Sequence, residues 1–373
     1  DMSPDGDQEY FGDGLAEELL DALAKVEGLT VAARTSSFRF RGGEVDIGDV
    51  AGQLGVQTVL EGSVRSGGDR VRITAQLVNA EGFHLWSERY DFTVDQMEDL
   101  ISVQEEIAQA IVAELALAPD TLAGEALETL VAQGTDNLEA YNAFLRGRHL
   151  VEQRTPQSLE SGAVQLERAV QIDPDYALAW AHLAMTNNLR IGWGFSEDSL
   201  VEQRGTEAAE RALELNPLLA EAYAAQGYVH TWIAYDSAAA DQAFARAIEL
   251  NPRFPTAWQW RGEHLSDRGY PEAGIPYLET ARGLDPLSPI ILVDLAEAYI
   301  RAGRYTGGES LVASAFELEP NFLPAIQSLW HLSRAKGDAV AMLDASRRFG
   351  AMREAEAGNS FTVSQLTFAD RHA

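Results

Sequence analysis

Apolar and polar positions along this chain switch between helical and strand spacing before settling into a longer repeat. From Gly14 to Val26 the leucines Leu15, Leu19, Leu20 and Leu23 recur at helical spacing, which predicts an amphipathic helix. Leu29 to Ala33 is a short run rich in β-forming residues and reads as a strand. Asp46 to Leu54 reads as a second short helix stopped at Gly55, and Val56 to Val64 as a buried strand. Arg70 to Asn79 alternates, with Val71, Ile73, Ala75 and Leu77 on one side and Arg72, Thr74 and Gln76 on the other. The Ser66-Gly67-Gly68-Asp69 turn joins these two as a hairpin. His84 to Tyr90 is a third member of the set, and Met97 to Leu117 a long helix. Residues 1–118 thus form an α+β domain, followed by a linker over 119–136.

Beyond the linker the period lengthens. Pro174, Pro217, Pro252, Pro286 and Pro320 follow one another at steps of 43, 35, 34 and 34 residues, each closing a phrase such as Ala-Ile-Glu-Leu-Asn-Pro. Such a period predicts stacked helical hairpins, here an all-α solenoid over 137–357 with a tail at 358–373. Within each phrase a small residue recurs ahead of the proline: Gly162, Gly205, Ala240, Gly274 and Gly308. A small residue lets two helices touch closely, and proline ends the second one.

The offsets resemble the tetratricopeptide repeat. Trp180-x-x-Leu183-Ala184, Trp258-x-x-Arg261-Gly262 and Leu292-x-x-Leu295-Ala296-x-x-Tyr299 mark the first helices, and the Gly162/Leu166/Ala169/Pro174 type of set marks the second. The resemblance covers five repeats and a degenerate sixth over Phe322 to Phe349. Departures are Arg261 in place of Leu and nine extra residues in the second repeat. Leu60-Glu-Gly-Ser-Val-Arg65, His84-Leu-Trp-Ser-Glu-Arg-Tyr-Asp91 and Val103-Gln-Glu-Glu-Ile-Ala108 are similar to the TolB amino-terminal domain. That likeness implies a bacterial membrane-anchored regulator with a winged-helix or adenylate cyclase domain upstream. It places this part on the periplasmic side, with a cytoplasmic location as the alternative. It also implies a fragment or processed form, since the family has an apolar strand ahead of a phrase like Asp1-Met-Ser-Pro-Asp.

Composition narrows the chemistry. A net charge of −30 over 373 residues argues against a nucleic-acid partner, which needs a basic patch. With no cysteine, thiol catalysis and zinc–thiolate sites are excluded. No ~18-residue apolar run is present to span a bilayer. The acidic start, Asp1, Asp5, Asp7 and Glu9, lacks calcium-loop spacing. The seven histidines form no His-x-x-x-His pair. Neither a Gly-x-Ser-x-Gly nor a phosphate-binding loop occurs. No metal, cofactor or catalytic residue is therefore expected.

What remains is recognition of a protein or peptide, and oligomeric state is left open. By phase, the inner face of the hairpins carries Met185 and Asn188, Tyr228, Gln259 and Glu263, and Glu297. It lacks the Lys and Asn clamp for a terminal carboxylate, so a helix or extended segment with apolar anchors and a basic flank fits it; the chain's own tail is an equal candidate. Trp193 and Phe195, in the extra residues of the second repeat, are either a partner hot spot or rings folded over the seam. Arg34, Arg39 and Arg41 are either an anion site or a loop paired with nearby acids. The expected function is a non-catalytic scaffold of a signalling protein. The alternative is a small-anion sensor that relays to a transcriptional or cyclase output.

Overall fold

The computed structural model describes residues 9–24, 26, 29–40, 46–67, 70–93, 97–114, 134–196 and 198–357. The chain divides into two compact units, Asp1–Leu250 and Asn251–Ala373. The expected fold class is met: a small antiparallel sheet with helices, then helical hairpins.

In the first unit, helix α1 (Glu9–Ala24) is followed by a short helix α2 (Arg34–Ser37) and a 3-10 turn (Phe38–Phe40). Helix α3 (Ile47–Leu54) begins at Asp46, whose side chain accepts from the Gly48 and Asp49 amides at 2.8 and 3.2 Å. It ends at Gly55, whose φ of 68° suits a residue without Cβ. Strands β1 (Thr58–Gly67), β2 (Arg70–Asn79) and β3 (His84–Thr93) form one sheet in the order β1-β2-β3, both pairs antiparallel. The register sets Thr58 against Asn79 and Arg70 against Thr93. The alternation read in β2 is the burial seen, with Val71, Ile73, Ala75 and Leu77 all inside. Helix α4 (Met97–Glu114) closes the segment.

One expectation fails. Leu29–Ala33 joins no ladder; it runs as a connector into α2, with Leu29 and Val31 resting against the core. Strand propensity reports fit to a half-buried pleated surface, and here a core edge supplies that surface without a neighbouring strand among the described residues. The loop predicted after it begins instead as α2. Arg41, Gly68–Asp69, 115–133 and 358–373 lie outside the described residues.

Three hairpins complete the first unit: α5 (Leu138–Val151) with α6 (Pro156–Ile172), α7 (Ala177–Gly192) with α8 (Ser199–Leu215), and α9 (Ala220–Tyr228) with α10 (Ser237–Leu250). Helix α9 runs on through a π-helical turn, Val229–Ile233. The second unit holds α11 (Pro255–Asp267) with α12 (Pro271–Leu284), α13 (Pro289–Arg301) with α14 (Tyr305–Leu318), and α15 (Leu323–Lys336) with α16 (Ala339–Ala357).

Reciprocal packing holds each hairpin together. A small residue on the first helix seats a large one on the second: a Cβ on Gly147 would lie 2.7 Å from Leu166, on Gly227 2.5 Å from Phe244, and on Gly262 2.6 Å from Leu278. The small residue on the second helix answers in kind. A Cβ on Gly162 would meet Val151 at 2.7 Å, on Gly205 Asn188 at 2.8 Å, and on Gly308 Ile300 at 2.9 Å. The periodic prolines add a tie: Trp180 and Trp258 each donate Nε1–H to the carbonyl of Pro174 or Pro252 at 2.9 Å.

Adding one methyl group tests this packing. Gly262→Ala forces Cβ against both Leu278 and the Gly274 carbonyl, and should lower stability by about 1–3 kcal/mol in denaturant unfolding. Gly283→Ala, with open space around it in α12, should leave stability unchanged or raise it by up to about 1 kcal/mol.

Candidate functional site

The small residue of each first helix fixes which neighbour points along the inner face. Arg148, Met185 and Tyr228 each follow such a residue, Gly147, Ala184 and Gly227, in the first unit; Glu263 and Glu297 follow Gly262 and Ala296 in the second. His331 continues the second series, 34 residues after Glu297, as Glu297 is 34 after Glu263.

In the first unit this face is already engaged by the chain's own α1. Gly14 lies on Leu145 so closely that a Cβ would overlap it. Leu15, Leu19 and Leu23 join one apolar core with Val64 and Ile73 of the sheet and Tyr141, Phe144 and Leu145 of α5. Charged groups cross the same contact. Glu17 forms an ion pair with Arg148, which is only 8% exposed, and a second with Arg34 Nε at 2.8 Å. Arg34 Nη1 reaches Glu152 at 3.1 Å, and His149 Nδ1 meets Asp13 at 3.0 Å. Burial lowers the Arg148 guanidinium to about 10 against the pull of Tyr176, Glu152 and Glu221, so it remains a cation at neutral pH. Burial, then Arg148 and Arg34, push His182 well below the usual imidazole range, and it stays neutral with its ring 5.2 Å from Phe144.

These contacts settle where the expected residues sit. Arg34 is held between two carboxylates, Arg39 is exposed in the 3-10 turn, and Arg41 lies outside the described residues, so the described geometry does not gather the three around an anion. Met185 packs against the core. Asn188 is 1% exposed, pressed on Gly205, with its amide donating to the Ala225 carbonyl at 3.1 Å. Its place in the repeat faces the second helix, as Val151 and Ile300 do; a helical phase alone merges that place with the inner face. Tyr228 is buried, its ring 4.3 Å from Trp232. Trp193 and Phe195 are half-buried and meet edge to face at 5.8 Å, with Arg154 over Trp193.

The second unit presents a polar face. Gln259, 5% exposed, donates Nε2 to Asp294 at 2.7 Å. Glu297 pairs with His331 Nδ1 at 2.9 Å. Arg301 pairs with Asp267 and approaches Ser266 Oγ at 3.5 Å. Burial raises Glu263 well above the ordinary carboxyl value, and Asp294 and Asp267 add to the rise against Arg301. For Glu297 burial pulls the same way, but the hydrogen bond and charge of His331 overcome it and the net shift is downward. Sequence reasoning named Gln259, Glu263 and Glu297 here; it missed Asp267, Asp294 and Arg301. Only the 34-residue step leading to His331 was there to be followed. Among the described residues no group of three or more ligating side chains is placed to hold a metal ion, and no helix is long and apolar enough to cross a membrane.

Three predictions follow the charges. Arg148→Met removes one of the two guanidinium partners of buried Glu17, leaving Arg34, and should cost about 1–3 kcal/mol in denaturant unfolding. Glu263 holds its proton more tightly folded than unfolded, so its stabilising contribution is present below its ordinary value of 4.5 and is lost as pH rises through the folded value. Glu263→Gln should therefore gain in Tm over the parent as pH rises. Glu297 has the opposite sign: its contribution is present above 4.5 and lost as pH falls through the lowered value. Glu297→Gln should melt lower than the parent at neutral pH, and the gap should close in acid.

Residues 265–330 match the family model described as tetratricopeptide repeat. Over 208 residues, 55% of this chain, the sequence is 40% identical to a protein of Rhizobium meliloti (strain 1021) named "Putative adenylate cyclase 3", and it spans 34% of that relative's length. Among solved structures, PilW, a widely conserved type IV pilus biogenesis factor, is 18% identical with a TM-score of 0.44, covering 62% of this chain and 99% of its own. A thermophilic TPR protein of Thermus thermophilus is 20% identical with a TM-score of 0.43, covering 55% and 99%. The hairpins outside residues 265–330 use the same close contact of small residues as those within that matched span.

Proposed function

We propose that this chain is a non-catalytic interaction segment of a bacterial signalling protein, and that it binds a peptide or protein segment on the inner face of its second unit. The carrying observation is α1 on α5. There a first helix of the hairpin array already holds an amphipathic helix, using a small residue, leucines and an acid against Arg148. The same side of the second unit carries Glu263, Glu297 and His331 in its place.

The wider setting rests on resemblance. The TolB-like segment and the relative named as a cyclase support a periplasmic or cytoplasmic scaffold within a longer regulator; the cyclase activity in that relative's name is not assigned to these residues. The small-anion reading draws no support from Arg34, which Glu17 and Glu152 hold.

Photo-crosslinking in the native host tests the reading. A crosslinking amino acid at Thr256 or Ile290, both half-buried on first helices, should trap one discrete partner. The same group at Glu210 on α8 should not. Equal trapping at both places, or none at either, would remove the scaffold reading.

A further inference from the structure

Four carboxylates lie together on the first helices of the second unit: Glu263 and Asp267 on α11, Asp294 and Glu297 on α13. Three have a partner of their own. Asp267 has Arg301, Asp294 has the Gln259 amide, and Glu297 has His331. Glu263 has neither hydrogen bond nor ion pair among the described residues, although it is half-buried. The one guanidinium near it, Arg301, is turned to Asp267 and Ser266. A half-buried carboxyl among like charges is costly to ionise and is ordinarily matched by a cation. Of the four, Glu263 is the one with no partner group among the described residues, and what it lacks is a positive charge.

We propose that this charge comes from the guest: Glu263 is the receptor for an arginine or lysine side chain of the segment that docks here. The proposal rests on the scaffold reading above and names the chemistry of its partner. Charge complementarity favours a basic occupant over an apolar one, because the apolar side chains on these helices, such as Val293 and Ile300, are buried in the hairpins. A guest cation would sit within reach of Glu263, flanked by Asp294 and Asp267, with Glu297 and His331 beyond. Burial, then Asp294 and Asp267, raise the Glu263 carboxyl well above its ordinary value against the pull of Arg301 when the face is empty. A cation favours the ionised form, so docking should release a proton and tighten as pH rises.

The test uses the full chain and a displayed library of random 12-residue peptides. Selected peptides should share a basic residue. Changing that residue to citrulline or norleucine, or the protein to Glu263→Gln, should weaken binding at least tenfold by fluorescence anisotropy. Glu309→Gln, on an exposed second-helix acid paired with Lys336, should leave it unchanged. Circular dichroism and melting confirm that Glu263→Gln is folded. If selected peptides bind without a basic residue, or bind Glu263→Gln as tightly as the parent, the proposal falls while the scaffold reading stands. If no peptide is selected at all, both fall.

Discussion

The approach of two helices at paired small residues is the constraint from which the rest follows. Where Gly262 meets Leu278 and Gly274 meets the backbone of Gly262, no larger group fits between the helices. That contact sets the rotation of each first helix about its axis. Once rotation is set, the residue after the small one must point along the inner face, and the residue four positions after it must point at the second helix. Polar side chains are sorted by this geometry rather than by their chemistry. Asn188 is sealed in because it falls at the second place; Glu263 lines the face because it falls at the first.

The two units use the same position differently. Arg148 stands in the first unit where Glu263 stands in the second. The arginine is balanced by Glu17, and its burial is tolerated because Arg34 and Glu152 extend the pairing into an alternating set. The pairing also orients α1 on α5, so the sheet and the first hairpin share a core. In the second unit the balance is incomplete. Among the described residues, opposite signs at one repeated position thus separate a first unit in which α1 supplies the counter-charge from a second in which Glu263 has no ion pair.

Much of this was legible in the sequence. The recurrent prolines and glycines marked the hairpins because helix packing needs small residues at fixed offsets. Strand β2 was readable from Val71 to Leu77 because there the buried residues alternate with less buried ones; the pattern breaks at the register shift, where Val78 is buried as well. Leu29–Ala33 misled because a five-residue apolar run carries no information about whether a backbone partner is available. The site was less visible. Glu263 and Glu297 could be placed by phase, but Asp294 and Arg301 belong to it through contacts between neighbouring hairpins, which no local pattern encodes. The α1 contact was hidden for the same reason: Glu17 and Arg148 are 131 positions apart.

The π-helical turn at Val229–Ile233 carries a last consequence. The step from Pro217 to Pro252 is 35 residues, one more than the next two. A wider turn absorbs one additional residue without displacing the helix that follows. Tyr235, at φ 55°, closes the corner where Gly269 and Gly303 do so in later hairpins. This helix thus works as a frame buffer: an insertion in its last turn is stored there as a local widening. Within this hairpin α10 keeps its place against α9, and a change of length that would otherwise rotate the following side chains by about 100° is absorbed.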